Sequence, residues 1–319
     1  MANVVIRLAD EADLPAVIRI SESVYGGNDY FLGEFLNFVK DPNRLILIAE
    51  KDGKAVGLQV IHIIDDGETA IAQSLRVHLE YRRQGIGKRL IQECRNFVRK
   101  NFPKVKFERY SVTSQGVERL GIQKKSADVL FHEVIFFACL VNGAESELSS
   151  RVSKLSTDQC SKLKQLNRTE FECLLNQEEL GDILFQDTYI VHWQPFKALA
   201  SNIPKGLLKD GDTIFTSYSG ESVQALSHSR WCPIDKCPQL ITVCYTLDEE
   251  FLKMHLIGQL ENGILQHPGE TFLFVPLVNT SLVDCTSQIL LRDLSLAILQ
   301  DEFGEKEQYN LYLFEKSLV

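Results

Sequence analysis

The sequence predicts an α/β protein with mixed sheets, divided into two domains of similar element order. The 319 residues exceed the size at which a single hydrophobic core usually stops growing. Strand-like and helix-like patterns alternate through the N-terminal half, as they do when helices cover the faces of a sheet. The order β-β-β-α-β-α-β recurs faintly in the C-terminal half. Small polar residues between Gly143 and Ser156 favour a boundary that separates residues 1–143 from 144–319.

The first half begins with a strand at Val4–Leu8, followed by two helices. Asp10 and Pro15 are typical of a helix N-terminus, and apolar residues at helical spacing follow them. A glycine-rich stretch around residues 25–30 ends this helix. The further predicted elements are a helix at Leu32–Lys40, strands at Leu45–Glu50, Ala55–Ile64, Thr69–Val77 and Val105–Val112, a helix from Gly85 to Asn101, a helix over 115–126, and a long strand at Val129–Val141.

The second half repeats this order with weaker patterns. Apolar residues at helical spacing predict helices at Leu155–Asn176, Glu249–His267 and Ser281–Leu299. Short apolar runs between turn-forming residues predict strands at Asp212–Tyr218, Ser222–Ser229, Leu240–Thr246, Thr271–Leu277 and Tyr309–Glu315. We therefore expect a degenerate structural repeat of the first domain.

Composition excludes several classes of function. A net charge of −9 argues against binding to nucleic acid or to anionic membranes, because both depend on an excess of Lys and Arg. The sequence shows neither a signal peptide nor an apolar run long enough to span a bilayer, so we expect a cytoplasmic protein without a membrane partner. Among the 8 cysteines, Cys232 and Cys237 form the close pair, but no fourth zinc ligand accompanies His228 nearby, so no metal is expected. No pattern indicates an oligomeric state.

One loop carries clear chemistry, the stretch Arg82-Arg83-Gln84-Gly85-Ile86-Gly87-Lys88 between a predicted strand and a predicted helix. The first N–H groups of a helix lack intrahelical partners, and the helix dipole adds partial positive charge there. Two glycines let an anion approach the backbone, and the arginines and Lys88 add cationic partners. The spacing fits neither a P-loop nor a dinucleotide fingerprint. The loop therefore predicts a phosphate or pyrophosphate site.

The stretch from Leu75 to Leu90 resembles motif A of the GNAT superfamily of N-acetyltransferases. This resemblance implies a mixed sheet flanked by helices, followed here by a second, degenerate GNAT-like domain. It implies acetyl-CoA as co-substrate, with its pyrophosphate on the loop residues from Arg82 to Lys88, Ile86 included. It also implies a pantetheine arm along the edge formed by Leu75, Arg76 and Val77.

Further segments resemble the vertebrate histidine N-acetyltransferase family. They are the stretches at 25–30, 41–44, 64–69 and 75–77, and, in the second half, Trp193-Gln194-Pro195-Phe196. The resemblance implies acetyl transfer from acetyl-CoA to the α-amine of free L-histidine, by direct attack in a ternary complex, with N-acetylhistidine as product. Acetyl transfer to another small amine, and a catalytically impaired acetyl-CoA-binding regulatory protein, remain as alternatives. Because carboxylates at Asp248-Glu249-Glu250 stand where phosphates would bind in the second half, we expect one acetyl-CoA per chain.

The catalytic candidates are Gln73 and Glu68. GNAT enzymes often carry a glutamate on the fourth strand as the base that removes a proton from the amine. The corresponding position here is Gln73, and a carboxamide cannot act as a base. Glu68, five residues earlier, is the nearest alternative, although a solvated turn carboxylate explains it equally well.

The acceptor-site candidates are Tyr25, Asp29, Tyr30 and Asp65. The GNAT resemblance puts the loop with Tyr25, Asp29 and Tyr30 over the acceptor pocket, and an aromatic ring with a carboxylate suits an imidazole or a cation. Asp65 could attract the same group, while turn formation before Gly67 is an alternative role for it.

Overall fold

The structure is a computed structural model that describes residues 4–22, 24, 29–114, 116–117, 129–155, 162–177, 180–234, 237–299 and 308–319. They form two compact units. One contains the described residues of Met1–Ser111, Lys125–Val129 and Phe314–Val319, and the other contains those of Val112–Lys124 and Leu130–Leu313. This division describes packing, and the domain boundary between residues 143 and 144 stays a prediction.

The first unit confirms the predicted mixed α/β class. Its strands follow the order β1-β2-β3-β4-β5, and every neighbouring pair is antiparallel except the parallel pair of β4 and β5. The elements are β1 (Val4–Leu8), α1 (Leu14–Ser21), α2 (Phe31–Lys40), β2 (Arg44–Lys51), β3 (Lys54–Ile64), β4 (Thr69–Val77), α3 (Ile86–Asn101) and β5 (Phe107–Thr113).

Helices cover both faces of this sheet because the strand residues are apolar on both sides. On one face, which we call the α1/α2 face, Leu58 and Val60 pack in a buried cluster with Phe35. On the other, the α3 face, Ile61 packs in a cluster with Leu90 of α3. Alternation along each strand therefore decides which helices a side chain meets.

The second unit repeats the strand and helix order of the first. Its main strand order is β8-β11-β12-β13-β14, with β13 and β14 parallel, and β6 and β7 both pair with β14. The chain elements from residue 129 onward are β6 (Val129–Phe136), β7 (Cys139–Asn142), α4 (Ser146–Leu155), β8 (Lys164–Gln165), α5 (Arg168–Leu174), α6 (Leu180–Ile183), β9 (Thr188–Val191), β10 (Gln194–Lys197), β11 (Thr213–Ser219), β12 (Ser222–Cys232), β13 (Gln239–Tyr245), α7 (Glu249–Gln266), β14 (Thr271–Asn279), α8 (Val283–Ser287), β15 (Ala297–Ile298) and β16 (Tyr309–Ser317).

The chain between residues 143 and 176 differs from its sequence pattern in two places. The small polar stretch after Gly143 contains helix α4, which was not predicted; Leu148 and Val152 share one side of it and are buried. The single helix predicted at Leu155–Asn176 is wrong. Asn167 caps a new helix, α5, through a hydrogen bond from the N–H of Glu170, and the residues before it pair with β11.

Two long elements are interrupted. The strand predicted at Val129–Val141 is two strands, since the Phe137 N–H donates to the Pro276 carbonyl and the Ala138 carbonyl accepts from Leu299. The helix predicted at Ser281–Leu299 ends by Asp293, after a short α-helical and a π-helical segment. The helix predicted over 115–126 lies outside the described residues, apart from residues 116 and 117.

A buried polar network crosses the second unit beside β11 and β12. Arg230 donates to both carboxylate oxygens of Asp212, from Nε to Oδ1 at 2.8 Å and from Nη2 to Oδ2. His228 Nε2 lies 2.9 Å from Asp212 Oδ2, and the Tyr189 hydroxyl lies 3.1 Å from His228 Nδ1. Burial lowers the pKa of His228, so we assign the neutral ring, which donates to Asp212 and accepts from Tyr189.

His255 in α7 is a second buried histidine with polar contacts. Its burial predicts that the free energy of unfolding decreases as the pH falls. Its ring nitrogens lie 2.6 Å from Ser217 Oγ and 2.7 Å from Ser227 Oγ, and burial lowers its pKa to about 3. The unfolded chain binds the proton near pH 6.5, so stability is full above that pH and is lost as the pH falls toward the folded pKa. Between pH 7.5 and 5.0 we expect this residue to cost about 2 kcal/mol.

Urea unfolding at the two pH values checks this prediction. His255→Gln should remove about 2 kcal/mol of the acid loss. His267→Gln, at a half-exposed histidine beside Glu270, is the matched control. An unchanged pH slope in His255→Gln would contradict the assignment.

Among the described residues, no helix is long and apolar enough to cross a membrane.

Candidate functional site

The predicted phosphate loop leads from β4 into the start of α3. Arg82 Nε donates to the Val77 carbonyl at 3.0 Å, and Gln84 Nε2 donates to the Glu80 carbonyl at 3.2 Å, so side chains of the loop stabilise it. Lys51 of the β2–β3 hairpin donates to Gln84 Oε1 at 2.7 Å. The loop therefore has a defined path that ends at the helix N-terminus.

Within the described residues, the first N–H groups of α3 have no capping side chain. Gly85 occupies the cap position in a left-handed conformation, with φ of 79°, and provides no side-chain hydrogen bond to the helix. In α5 and α7, in contrast, N–H groups of the first turn donate to the side chains of Asn167 and Asp248. Because uncapped N–H groups at a helix start attract anions, α3 offers a phosphate site that the other two helices lack.

Gly87 in the first turn of α3 has space beside it. A Cβ there would lie 3.7 Å from Val77 Cγ2 and 4.0 Å from Leu75 Cδ2, which is ordinary contact. Packing within the protein therefore does not require glycine at this position. Arg82, Arg83 and Lys88 are exposed around it and supply positive charge.

The strands β4 and β5 pair over their first residues and then separate. Their parallel pairing runs from Thr69 to Ile71 in the described residues, while β4 continues to Val77. The edge that carries Leu75, Arg76 and Val77 is therefore not paired with β5, and it ends at the phosphate loop. A strand edge presents free N–H and C=O groups to an extended ligand.

A β-bulge in β4 lies at this separation. Gln73 faces Val60 and Arg76 faces Leu58, so the single residue between these partners on β3 is opposite two residues, Ser74 and Leu75. Ser74 has a φ of 54°. The bulge turns Gln73 and Arg76 to the α1/α2 face and leaves Leu75 and Val77 on the α3 face.

Asp29 and Arg76 form a buried ion pair on the α1/α2 face. Arg76 Nη2 donates to Asp29 Oδ1 at 2.7 Å, with side-chain exposures of 5% and 2%. The same oxygen accepts the Phe31 N–H, and the guanidinium lies 4.4 Å from the Phe31 ring centroid. Asp29 Oδ2 is buried without a hydrogen-bond partner in the described part of the chain. Burial outweighs the arginine and raises the pKa of Asp29.

Tyr30 lies beside the bulge. Its hydroxyl is 3.4 Å from Ser74 Oγ. The structure thus brings Asp29, predicted to bind the acceptor, to Arg76 of the predicted pantetheine edge, and Tyr30, predicted likewise, to Ser74 in the adjoining bulge. Tyr25 lies outside the described residues.

Both polar atoms of the Gln73 side-chain amide are buried. Neither Oε1 nor Nε2 is accessible to solvent, and neither has a hydrogen-bond partner among the described residues. An unpaired buried polar group costs about 1–3 kcal/mol, so most such groups in proteins are paired. An unsatisfied carboxamide at a strand separation therefore points to a ligand.

Glu68 and Asp65 lie at the other end of β4. Glu68 forms an ion pair with Lys106, with Oε1 2.5 Å from Nζ, and both side chains are more than a third exposed. Asp65 is 1% exposed and has a φ of 53° in the turn before the strand. Five residues of strand, roughly 16 Å, separate Glu68 from Gln73. The structure does not bring these two carboxylates to the bulge, and their predicted roles stay predictions.

The corresponding cleft in the second unit is closed. Asp248 Oδ1 accepts from the N–H groups of Glu250 and Phe251 at 2.8 and 3.0 Å, so a carboxylate caps the helix that corresponds to α3. The parallel pairing of β13 and β14 runs over five residues, Gln239–Val243, against three in the first unit. The closed cleft and the capped helix both disfavour a second phosphate ligand.

Sequence reasoning missed the bulge and the Asp29–Arg76 pair. Ser74 carries no signal of its left-handed conformation, since serine is common in regular strands as well as in turns. No group of three or more His, Cys, Asp or Glu within the described residues is arranged to hold a metal ion.

Comparison with known proteins adds two family matches and several relatives. Residues 14–113 match the Acetyltransferase (GNAT) family, and residues 159–278 match the family described as Histidine N-acetyltransferase, C-terminal. A Histidine N-acetyltransferase from Oreochromis niloticus is 31% identical over 237 residues, which cover 69% of this chain and 67% of the relative. A Histidine N-acetyltransferase from Scomber australasicus is 26% identical over 235 residues, with 69% and 67% covered.

Two solved structures share the fold over almost the whole chain. A tandem GNAT protein from the clavulanic acid biosynthesis pathway has a TM-score of 0.59 at 11% identity, with 99% of both chains covered. A GCN5-related N-acetyltransferase from Sphaerobacter thermophilus has a TM-score of 0.57 at 10% identity, with 99% of this chain and 96% of that chain covered. At this identity the likeness concerns the fold alone, and it agrees with two GNAT-like units.

Proposed function

Because the chain belongs to the histidine N-acetyltransferase family, we propose that it moves the acetyl group of acetyl-CoA to the α-amine of free L-histidine. The family and the GNAT match make the chain an acyltransferase. The relatives that carry the name of this activity support histidine as the acceptor.

The observation that carries the donor assignment is the uncapped start of α3 beside a separated strand pair. The pyrophosphate of acetyl-CoA would accept hydrogen bonds from N–H groups at Gly85–Lys88, while Arg82 and Arg83 neutralise its charge. Gln84 keeps the loop in place through Glu80 and Lys51. The pantetheine arm would pair with the open edge at Leu75–Val77, which directs the thioester toward the bulge.

The acceptor would enter from the α1/α2 face of β4. Asp29 Oδ2 and the Tyr30 hydroxyl are the groups that support this side of the pocket. A carboxylate beside an aromatic ring suits the N–H groups of an imidazole or an amine. Arg76 keeps Asp29 in place and compensates the negative charge of its carboxylate.

The reaction would be a direct transfer with both substrates bound. The neutral amine attacks the thioester carbonyl carbon, the C–N bond forms, the C–S bond breaks, and the thiolate leaves. One amine proton ends on the sulfur, so the products are N-acetylhistidine and CoA. Holding both substrates at adjoining sites replaces a bimolecular collision by a positioned one.

A thiol-release assay over free amino acids and small amines tests this function. We expect turnover with L-histidine and acetyl-CoA, with product confirmed by mass spectrometry. Turnover on a different amine without histidine would contradict the acceptor. Acetyl-CoA binding without turnover on any amine would contradict the reaction.

The closed second unit predicts one acetyl-CoA per chain. Titration calorimetry with CoA should give a stoichiometry of one. Arg83→Glu should weaken that binding, because it reverses a charge on the loop. Asp248→Ala, in the second unit, should leave the stoichiometry unchanged. A measured value of two would contradict the prediction.

A further inference from the structure

Gln73 lies where the donor and acceptor sites would meet. It stands two residues beyond Ile71, the last β4 residue that pairs with β5, and one residue before the bulge at Ser74. Val60, its cross-strand partner, packs against the α2 phenylalanines, so Gln73 shares the α1/α2 face. Four residues of strand, roughly 13 Å, separate it from Val77 at the phosphate loop.

We infer that the Gln73 carboxamide binds the acceptor amine in its uncharged form. Oε1 accepts one N–H of the amine, and Nε2 donates to an oxygen of the acceptor or of the thioester. Both amide atoms are buried and unbonded in the described residues, so a ligand that reaches them breaks no hydrogen bond of the protein. This inference rests on the proposed acetyl transfer and specifies how the acceptor is recognised.

A carboxamide cannot take the amine proton, and this has a consequence for the pH profile. An amine bound as the ammonium ion would keep its lone pair on the proton and could not attack. The amine therefore arrives neutral, attacks the carbonyl carbon, and loses its surplus proton to the departing thiolate as the C–S bond breaks. The rate at low acceptor concentration then follows the free-amine fraction of the acceptor in solution.

Other ionisable groups face the same side of the sheet. They include His62 of β3, paired with Ile71, Arg44 of β2, which lies opposite His62 and interacts with Asp41 and Glu34, Arg76 and its partner Asp29, Tyr30 at the start of α2, and Arg109 of β5 with its partner Glu315. Guanidinium groups stay charged in proteins, and Asp29 accepts from Arg76 and from a backbone N–H. If one of these groups served as the base, its own pKa would govern the profile for every acceptor.

The pH dependence of kcat/KM for the acceptor tests the inference on the intact enzyme. For the natural chain we expect the logarithm of kcat/KM to rise with unit slope through neutral pH and to level off at the pKa of the acceptor amine. With a less basic amine, such as histidine methyl ester, the whole profile should shift to lower pH. If kcat/KM instead levelled off at the same pH for acceptors of different basicity, the inference would be overturned, and the base would be a group of the protein such as His62.

Substitutions of Gln73 add two readouts. Gln73→Met should raise KM for the acceptor about tenfold, with KM for acetyl-CoA and the shape of the pH profile unchanged. Gln73→Glu should add a limb at the pKa of the new carboxyl and raise kcat/KM near pH 7 about tenfold or more, because it supplies a base. An unchanged KM in Gln73→Met, or no new limb in Gln73→Glu, would contradict the inference.

Melting temperature without substrate separates ligand binding from a structural role and does not depend on activity. Because the Gln73 amide has no partner to lose among the described residues, Gln73→Met should melt at or above the temperature of the natural chain. Gln259 is the matched control, since its buried amide donates to the Thr213 carbonyl and to Ser227 Oγ. Gln259→Met should melt a few degrees lower.

The two failures remain distinguishable. If no amine is acetylated while CoA still binds, the proposed function fails. If acetylation proceeds but Gln73→Met melts lower, as Gln259→Met does, Gln73 holds the fold and the inference fails.

Discussion

Gly87→Asp should strongly weaken acetyl-CoA binding while the protein stays folded. A Cβ at this position meets nothing closer than 3.7 Å, so the side chain has space. A carboxylate in the first turn of a helix is favourable for the helix itself. It would lie beside the pyrophosphate, and two unit charges about 5 Å apart near a protein surface repel by roughly 3 kcal/mol. The expected loss of affinity is about 100-fold or more.

The same substitution would give α3 an acidic first turn like that of the corresponding helix in the second unit. Its helix α7 begins with Asp248 as cap and with Glu249 and Glu250 in the first turn. Calorimetric titration with acetyl-CoA, together with a melting curve, measures both halves of the prediction. Gly87→Ala is the control and should keep most of the affinity, since the added methyl group makes only ordinary contacts. Undiminished binding in Gly87→Asp would place the pyrophosphate elsewhere.

Asp212→Asn should destabilise the second unit by about 3–5 kcal/mol, the usual cost of leaving one member of a buried ion pair without its partner. The substitution keeps the shape of the side chain but removes the charge that compensates Arg230. The side chains of Asp212 and Arg230 are 2% and 6% exposed. Arg230 also donates to the carbonyls of Gly206 and Leu207, which do not carry a full charge.

The pH dependence of this effect has a defined sign. Burial alone would raise the pKa of Asp212, but the bidentate contact with Arg230 and the contact with His228 together outweigh it and hold that pKa well below its usual range. The stabilisation is therefore complete above about pH 4, the unfolded pKa, and is lost as the pH falls further. Asp212→Asn should remove this acid-dependent part.

Urea unfolding at pH 7 and pH 3 provides the measurement for Asp212→Asn. Lys40→Gln, which removes an exposed pair with Glu11 at 3.5 Å, is the control and should change stability little. Equal stability of Asp212→Asn and the natural chain at pH 7 would show that the arginine is compensated by other groups.

Sequence is most informative where one segment carries the whole signal. The loop from Arg82 to Lys88 is contiguous, and glycines with cationic side chains favour anion binding at any helix N-terminus that follows a strand. The strands β1 to β5 follow from hydrophobic patterns within single segments. Helix α4 after Gly143 was not predicted for the converse reason, because the polar composition obscured the helical spacing of Leu148 and Val152.

Sequence by itself determined the α/β class, the two-part order of elements, and the loop that predicts the phosphate site. Only the tertiary structure decided that β4 leaves β5 after Ile71, that a bulge turns Gln73 and Arg76 to one face, and that Asp29 meets Arg76 across 47 residues of chain. Strand register, bulges and long-range side-chain pairs depend on how whole elements pack. Hydrophobic periodicity reports only which side of one element is buried, so it cannot specify them.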